Sequence, residues 1–150
     1  MSPPLDLSKT ELSLKFDPIE LDIVQLRPDT RLPVDAVLSQ VDFISITRTP
    51  AEVTLVAPRQ WIQQLIDSNP TLSSAVTESL GERHSKVALK VRGPLDMSMT
   101  GVLSALAEPL RQASIPIYVL STWDTDYVLI GAEEQAAAAE ALQKAGWHFG

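Results

Sequence analysis

Two stretches carry side chains whose types and spacing could do chemistry: Asp96-x-Ser98, just ahead of Gly101, and Asp124-Thr125-Asp126. In the first, either side chain can accept the orphan N–H groups of a helix's opening turn, so the pattern reads as a cap. In the second, two carboxylates two residues apart are compatible with a solvated hairpin, a metal site or an acid–base pair. Neither a third ligand nor a nucleophile accompanies them. The chain has no cysteine and only two histidines, His84 and His148, so thiol nucleophiles and thiolate metal sites are excluded and histidine chemistry has little material. No catalytic residue, no metal ligand and no cofactor is expected. His84 reads as exposed, and His148 as packing or surface. Arg48 and Glu52 read as loop charges facing solvent. Trp61, Trp123 and Trp147 read as packing residues, because a stacking platform for nucleic acid would sit in a basic groove.

At 150 residues the chain has the size of one ordinary domain or two small ones. Its 45% hydrophobic and 21% charged residues are the balance of a chain able to bury a core. The net charge of −7 argues against nucleic acid or an anionic membrane as partner. Met1-Ser2-Pro3-Pro4-Leu5-Asp6 lacks the basic start and apolar run of a secretory signal, and no apolar stretch reaches transmembrane length, so a cytoplasmic location is expected.

The elements that must position these residues follow from periodicity. Leu12 to Phe16 and Leu21 to Leu26 predict two strands about a turn at Asp17-Pro18. Val34 to Leu38 predicts a short helix, Phe43 to Thr47 and Glu52 to Val56 a hairpin, and Pro58 to Asp67 a helix with Trp61, Ile62, Leu65 and Ile66 on one face. Residues 69–85, rich in Ser and Thr, read as a connection. Lys86 to Arg92 alternates and stops at Gly93-Pro94. Met99, Val102, Leu103, Leu106, Leu110 and Ala113 share a helical face, with a kink or an end expected near Glu108, because Pro109 clashes with the Ala105 carbonyl. A second hairpin, from Ile115 to Ile130, precedes an alanine-rich helix, Ala132 to Ala145, with Glu133 and Glu134 in its first turn, Lys144 in its last and Gly146 as its stop. The alanines at 136–139 suggest close helix-to-sheet packing, and Trp147 to Phe149 a short terminal strand.

Sliding the chain on itself by 74 positions lays Phe43 to Pro58 over Ile117 to Ala132, with Thr47 over Ser121 and Glu52 over Asp126. Each half then reads β-α-β-β-α and the second closes with β, the order of an antiparallel sheet with helices on one face. The expected fold is α+β: two ferredoxin-like (βαββαβ) domains as a pseudo-symmetric pair. The expected boundaries are a flexible N-terminus at 1–10, a first domain at 11–68, the connection at 69–85 and a second domain at 86–150.

Val91-Arg92-Gly93-Pro94-Leu95-Asp96-Met97-Ser98-Met99-Thr100-Gly101-Val102-Leu103, followed by the hairpin Ser121-Thr122-Trp123-Asp124-Thr125-Asp126-Tyr127, resembles the C-terminal module of small tandem ACT-domain proteins. This branch includes the CASTOR-type arginine sensors and is related to the regulatory ACT domains of aspartate kinases. The resemblance implies a non-catalytic sensor or regulatory module that binds an amino acid at an inter-domain or inter-subunit interface. It puts the ligand-binding residues at Asp96, Met97, Ser98, Met99, Thr100, Gly101 and Val102 in one loop, and at Ser121, Thr122, Asp124 and Asp126 in the hairpin. N–H groups at a helix start near Met99 would favour a ligand carboxylate, while Asp96, Asp124 and Asp126 would take up an α-ammonium or a cationic side chain. Arginine or lysine is mildly favoured as ligand. A homodimer would complete the site, and a further protein would read it. The alternative is an interaction adaptor that keeps an ACT-like fold without a ligand.

Overall fold

The computed structural model describes residues 4–81, 84–96 and 98–150. Contacts divide the chain into two compact units: a split unit, Met1–Pro18 with Val87–Gly150, and an inserted unit, Ile19–Lys86. This differs from the two contiguous spans expected, and the reason lies in β1 (Leu14–Leu26), which gives Leu14–Pro18 to the split unit and its remainder to the inserted one. The turn expected at Asp17-Pro18 is absent, because the strand runs through it. Pro18 is tolerated there since the ladder to the following hairpin begins only at Leu21, so its missing N–H breaks none of those bonds.

The inserted unit continues with α1 (Val34–Leu38), β2 (Ser45–Arg48), β3 (Val53–Pro58), α2 (Arg59–Ser68), α3 (Pro70–Ala75) and β4 (Val76–Ser79). Its strand order is β2-β3-β1-β4, and all three ladders are antiparallel. Ile62 of α2 is buried with Val24, Leu26, Val53, Leu55 and Ala75, each of the Val, Leu and Ile side chains removed from water contributing about 1.5–3 kcal/mol. The expected connection thus supplies a helix and a strand. Asn69 accepts the Leu72 N–H at 3.2 Å with Pro70 in the first turn, and this cap starts α3. In β4 only Val76 is half-buried, so no apolar alternation announces the strand.

The split unit contains a 3-10 turn (Thr10–Leu12), β5 (Lys86–Val91), α4 (Val102–Gln112), β6 (Tyr118–Ser121), β7 (Asp126–Gly131), a second 3-10 turn (Ala132–Glu134) and α5 (Gln135–Lys144), with strand order β6-β7-β5-β1. Phe149 closes it through a parallel bridge to Leu14. Leu14, Leu89, Leu106, Leu110, Leu142 and Trp147 form its core. The N-terminal segment, expected to be flexible, packs Leu5 and Leu7 against that core, and Glu11 and Ser13 accept the Gly93 and Arg92 N–H groups at 2.9 Å. Both units therefore carry the β-α-β-β-α-β order, and the fold is α+β and ferredoxin-like.

α4 does not end at Glu108: it passes through Pro109 to Gln112. Proline removes the donor that the Ala105 carbonyl would receive, and the Trp147 indole N–H supplies one at 3.2 Å instead. Trp147 is 1% exposed and Ala105 half-buried, so the bond runs from the core to its margin. Both long helices of the unit end alike. Gly146 (φ +99°) donates to Gln143 and Trp147 to Leu142, while Ser114 (φ +59°) donates to Arg111 and Ile115 to Leu110. Of the alanines at 136–139, Ala138 is fully buried but Ala136 and Ala137 are exposed, so helix-to-sheet packing accounts for only part of the run.

The two hairpins superpose at a shift of 73, one less than side-chain identities suggested, because the pair Ser45 and Val56 corresponds to Tyr118 and Leu129. A threonine turn fixes that register. Thr49 donates to the Glu52 carbonyl and its hydroxyl accepts the Glu52 N–H, and Thr122 does the same with Thr125. Arg48 thus corresponds to Ser121 and Glu52 to Thr125. Among the described residues no helix is long and apolar enough to cross a membrane.

Candidate functional site

Within the split unit, the loop from β5 to α4 lies against the tip of the β6–β7 hairpin. Leu95 N–H donates to the Asp124 carbonyl at 2.6 Å, and the buried Thr125 hydroxyl donates to the Val91 carbonyl at 2.5 Å. Gly93 sits at φ +67°, and a Cβ there would lie 3.0 Å from the Asp124 carbonyl oxygen, so this close approach requires glycine. The two sequence stretches singled out for chemistry are therefore physically joined.

Their side chains are disposed as follows. Asp96 accepts the Ser98 N–H (2.8 Å) and hydroxyl (2.6 Å), which hold its carboxyl below the ordinary carboxylate range. It therefore caps Ser98, not the helix. α4 starts at Val102, later than expected from Met99, behind Gly101 at φ +81°, with no side-chain cap. Met99 and Thr100 lie in the loop, half-buried and exposed respectively. The Val102 side chain is buried in the hydrophobic core, which leaves only its main chain at the loop. Met97 lies outside the described residues. In the hairpin, Ser121 donates to Asp126 at 2.6 Å and the Thr122 hydroxyl is engaged in the turn, whereas the Asp124 carboxylate has no partner among the described residues.

Sequence reasoning overlooked three residues here. Trp123, read as packing, is 82% exposed at the hairpin tip, because the tight threonine turn points it away from any core. Asp6 and Lys9 border a pocket of about 260 Å³ together with Ser98, Met99 and Thr100. The signal for Asp6 was present: Asp6-x-Ser8 repeats the spacing of Asp96-x-Ser98. Ser8 N–H and hydroxyl donate to Asp6 at 3.1 and 2.5 Å, and these bonds, with a smaller contribution from the Lys9 charge, lower its pKa. Among the described residues no group of three or more His, Asp or Glu is placed to hold a metal ion.

Residues 82–144 match the family model of the ACT domain. A protein of known structure from Agobacterium tumefaciens is similar over 91% of this chain and 90% of its own, at 26% identity and a TM-score of 0.72. The regulatory subunit of aspartate kinase from Thermus thermophilus, in a ligand-free form, is similar over 92% of this chain and 99% of its own, at 18% identity and a TM-score of 0.64. A Vibrio cholerae protein described as a possible transport protein aligns over 89% of this chain and 91% of its own, at 16% identity and 0.62. No curated protein sequence matches the chain. The fold is thus of the ACT type.

Proposed function

We propose that this chain is a non-catalytic regulatory module that binds an amino acid at the β5–α4 loop of the split unit and couples occupancy to association with a second copy of itself. The observation that carries the reading is the joining of that loop to the hairpin through Leu95, Gly93 and Asp124, beside a helix start without a side-chain cap. N–H groups at such a start favour an anionic ligand group, and the partnerless Asp124 carboxylate favours a cationic one. The match of residues 82–144 to the ACT domain and the likeness to an aspartate kinase regulatory subunit support a regulatory role over a catalytic one. A ligand that prefers the associated state shifts the population toward it by its differential affinity.

The test is a thermal-shift screen of the full chain against the twenty amino acids, with calorimetry and sedimentation on any hit. Binding at about 100 times Kd stabilises the native state by about 2.7 kcal/mol, a rise of several degrees. Asp124→Asn is expected to weaken the hit without altering the apo melting temperature. A flat screen on a cooperatively melting protein overturns the reading. It would favour an adaptor that uses the exposed Trp123 as its contact, since an indole is the kind of side chain that anchors interfaces.

A further inference from the structure

The loop from β1 to α1 in the inserted unit is rich in acceptors. Two main-chain carbonyls two residues apart, those of Pro28 and Thr30, accept from the two terminal nitrogens of the Arg48 guanidinium. Among the described residues no carboxylate pairs with Arg48, so its charge is met by carbonyl dipoles. Thr30 is 6% exposed, and its hydroxyl has no partner among the described residues. One residue thus presents a carbonyl that takes the cation and a buried hydroxyl left over, a combination uncommon in a loop that serves only as a connection.

The acceptors are set without Arg48. Arg27 N–H donates to the Ala75 carbonyl at 2.9 Å, its guanidinium donates to the Ser74 carbonyl at 3.2 Å, and Thr30 N–H donates back to the Arg27 carbonyl at 3.0 Å. These bonds fix the turn from 27 to 30 against the end of α3, so removing the Arg48 side chain leaves both carbonyls in place. Carbonyls held in this way suit the parallel N–H groups of a planar guanidinium, whereas an ammonium meets them as a point charge. Arg48 itself is exposed and reaches them from the end of the edge strand β2.

We propose that this loop is a guanidinium-binding site that the chain fills with its own Arg48, a latch that ties the β2–β3 hairpin to the loop and keeps other guanidinium groups out. Once the latch is removed, the site takes a small alkylguanidinium in its place. Of the two related loops, only that of the split unit is then open to an outside molecule. The assignment stands independently of the ligand-binding reading above.

The experiment is rescue of Arg48→Ala in the full chain by ethylguanidinium, which replaces the atoms lost beyond Cβ. The variant is expected to melt several degrees below wild type and to shift the amide resonances of Asp29 and Arg31, which follow the two accepting carbonyls. Ethylguanidinium, well below denaturing concentration, should raise its melting temperature saturably and return both resonances toward their wild-type positions. The same resonances of the wild type should not move, its site being filled, and ethylammonium at equal ionic strength should rescue neither property. A readout free of any variant is proton exchange in the wild type: the Arg48 guanidinium should exchange at least tenfold more slowly than that of Arg31, which has no partner among the described residues. Equal exchange of the two, a variant that melts with wild type, absence of rescue, or rescue by ethylammonium to the same extent overturns the assignment and leaves the regulatory reading untouched.

Discussion

In the inserted unit the Arg48 guanidinium donates to the Pro28 and Thr30 carbonyls, so the loop after the first strand is closed by the chain's own cation. In the split unit the corresponding residue is Ser121, which turns instead to Asp126, and the loop is held by a main-chain bond from Leu95 to Asp124. The acids at the two hairpin tips, which do not occupy corresponding positions, differ as well. Glu52 accepts from Gln25 (2.8 Å) and Thr54 (2.5 Å), while Asp124 has no partner among the described residues. In the inserted unit a side chain closes the loop, whereas in the split unit the Thr125 hydroxyl and a main-chain bond join loop to hairpin and the Asp124 carboxylate is left without a partner among the described residues.

The largest effect that would sharpen this contrast is expected at the strand that closes each unit. Trp147→Ala removes a buried indole and its bond to Ala105, and about 3–5 kcal/mol should be lost in urea denaturation. Val76→Ala in β4, half-buried, should cost about 1 kcal/mol or less. The contrast between the loops breaks or holds on a second pair. Arg48→Met should destabilise by about 1–3 kcal/mol, since charge-assisted bonds to two carbonyls are lost, whereas Ser121→Ala should stay within about 0.5 kcal/mol. Equal losses would mean that both loops are held in the same way.

The smallest effect concerns protons and salt. Glu108 in α4 is lowered to about 2, chiefly by hydrogen bonds from Arg111 and then Gln112, and Glu52 is lowered by Thr54 and then Gln25. A carboxyl lowered in the native state contributes stability above its ordinary pKa of about 4.5, lost as pH falls through the native value. Both contributions should therefore fade below about pH 4.5. Because Glu108 faces a charged partner and Glu52 neutral ones, NMR titration in 1 M salt should raise the Glu108 pKa and leave that of Glu52 in place. Arg111→Ala should raise the Glu108 pKa at any ionic strength.

The hairpins, α2, β5 and α5 were legible in the sequence because each carries strong periodicity or a stop residue. What was not legible depended on partners far away in the chain. Whether Asp17-Pro18 forms a turn depends on where the β3 ladder begins, and β4 is a strand because β1 is there to pair with it, not because its residues alternate. A helix with an internal proline continues when a remote donor serves the freed carbonyl. At the candidate site, the nearness of loop and hairpin was implied by the resemblance to tandem ACT-domain proteins and not by the Gly-Pro and Asp-rich stretches themselves, which read only as a strand stop and a hairpin. The place of Lys9 was not legible, since a Pro- and Ser-containing N-terminus reads as flexible until Leu5 and Leu7 are seen against the core, and for Asp6 the spacing shared with Asp96-x-Ser98 was the one signal. The repeat was displaced by one because side-chain identities at its tips are weaker markers than the threonine turn.

Pro109, the Ala105 carbonyl and Trp147 form a compensated pair, and the two side chains should behave epistatically. Restoring a main-chain donor with Pro109→Ala gives the carbonyl a second suitor, so replacing the tryptophan by phenylalanine should cost less in that background than in wild type. Lineages of this fold that dispense with the proline would then be free to lose the indole nitrogen, and those that keep it would not.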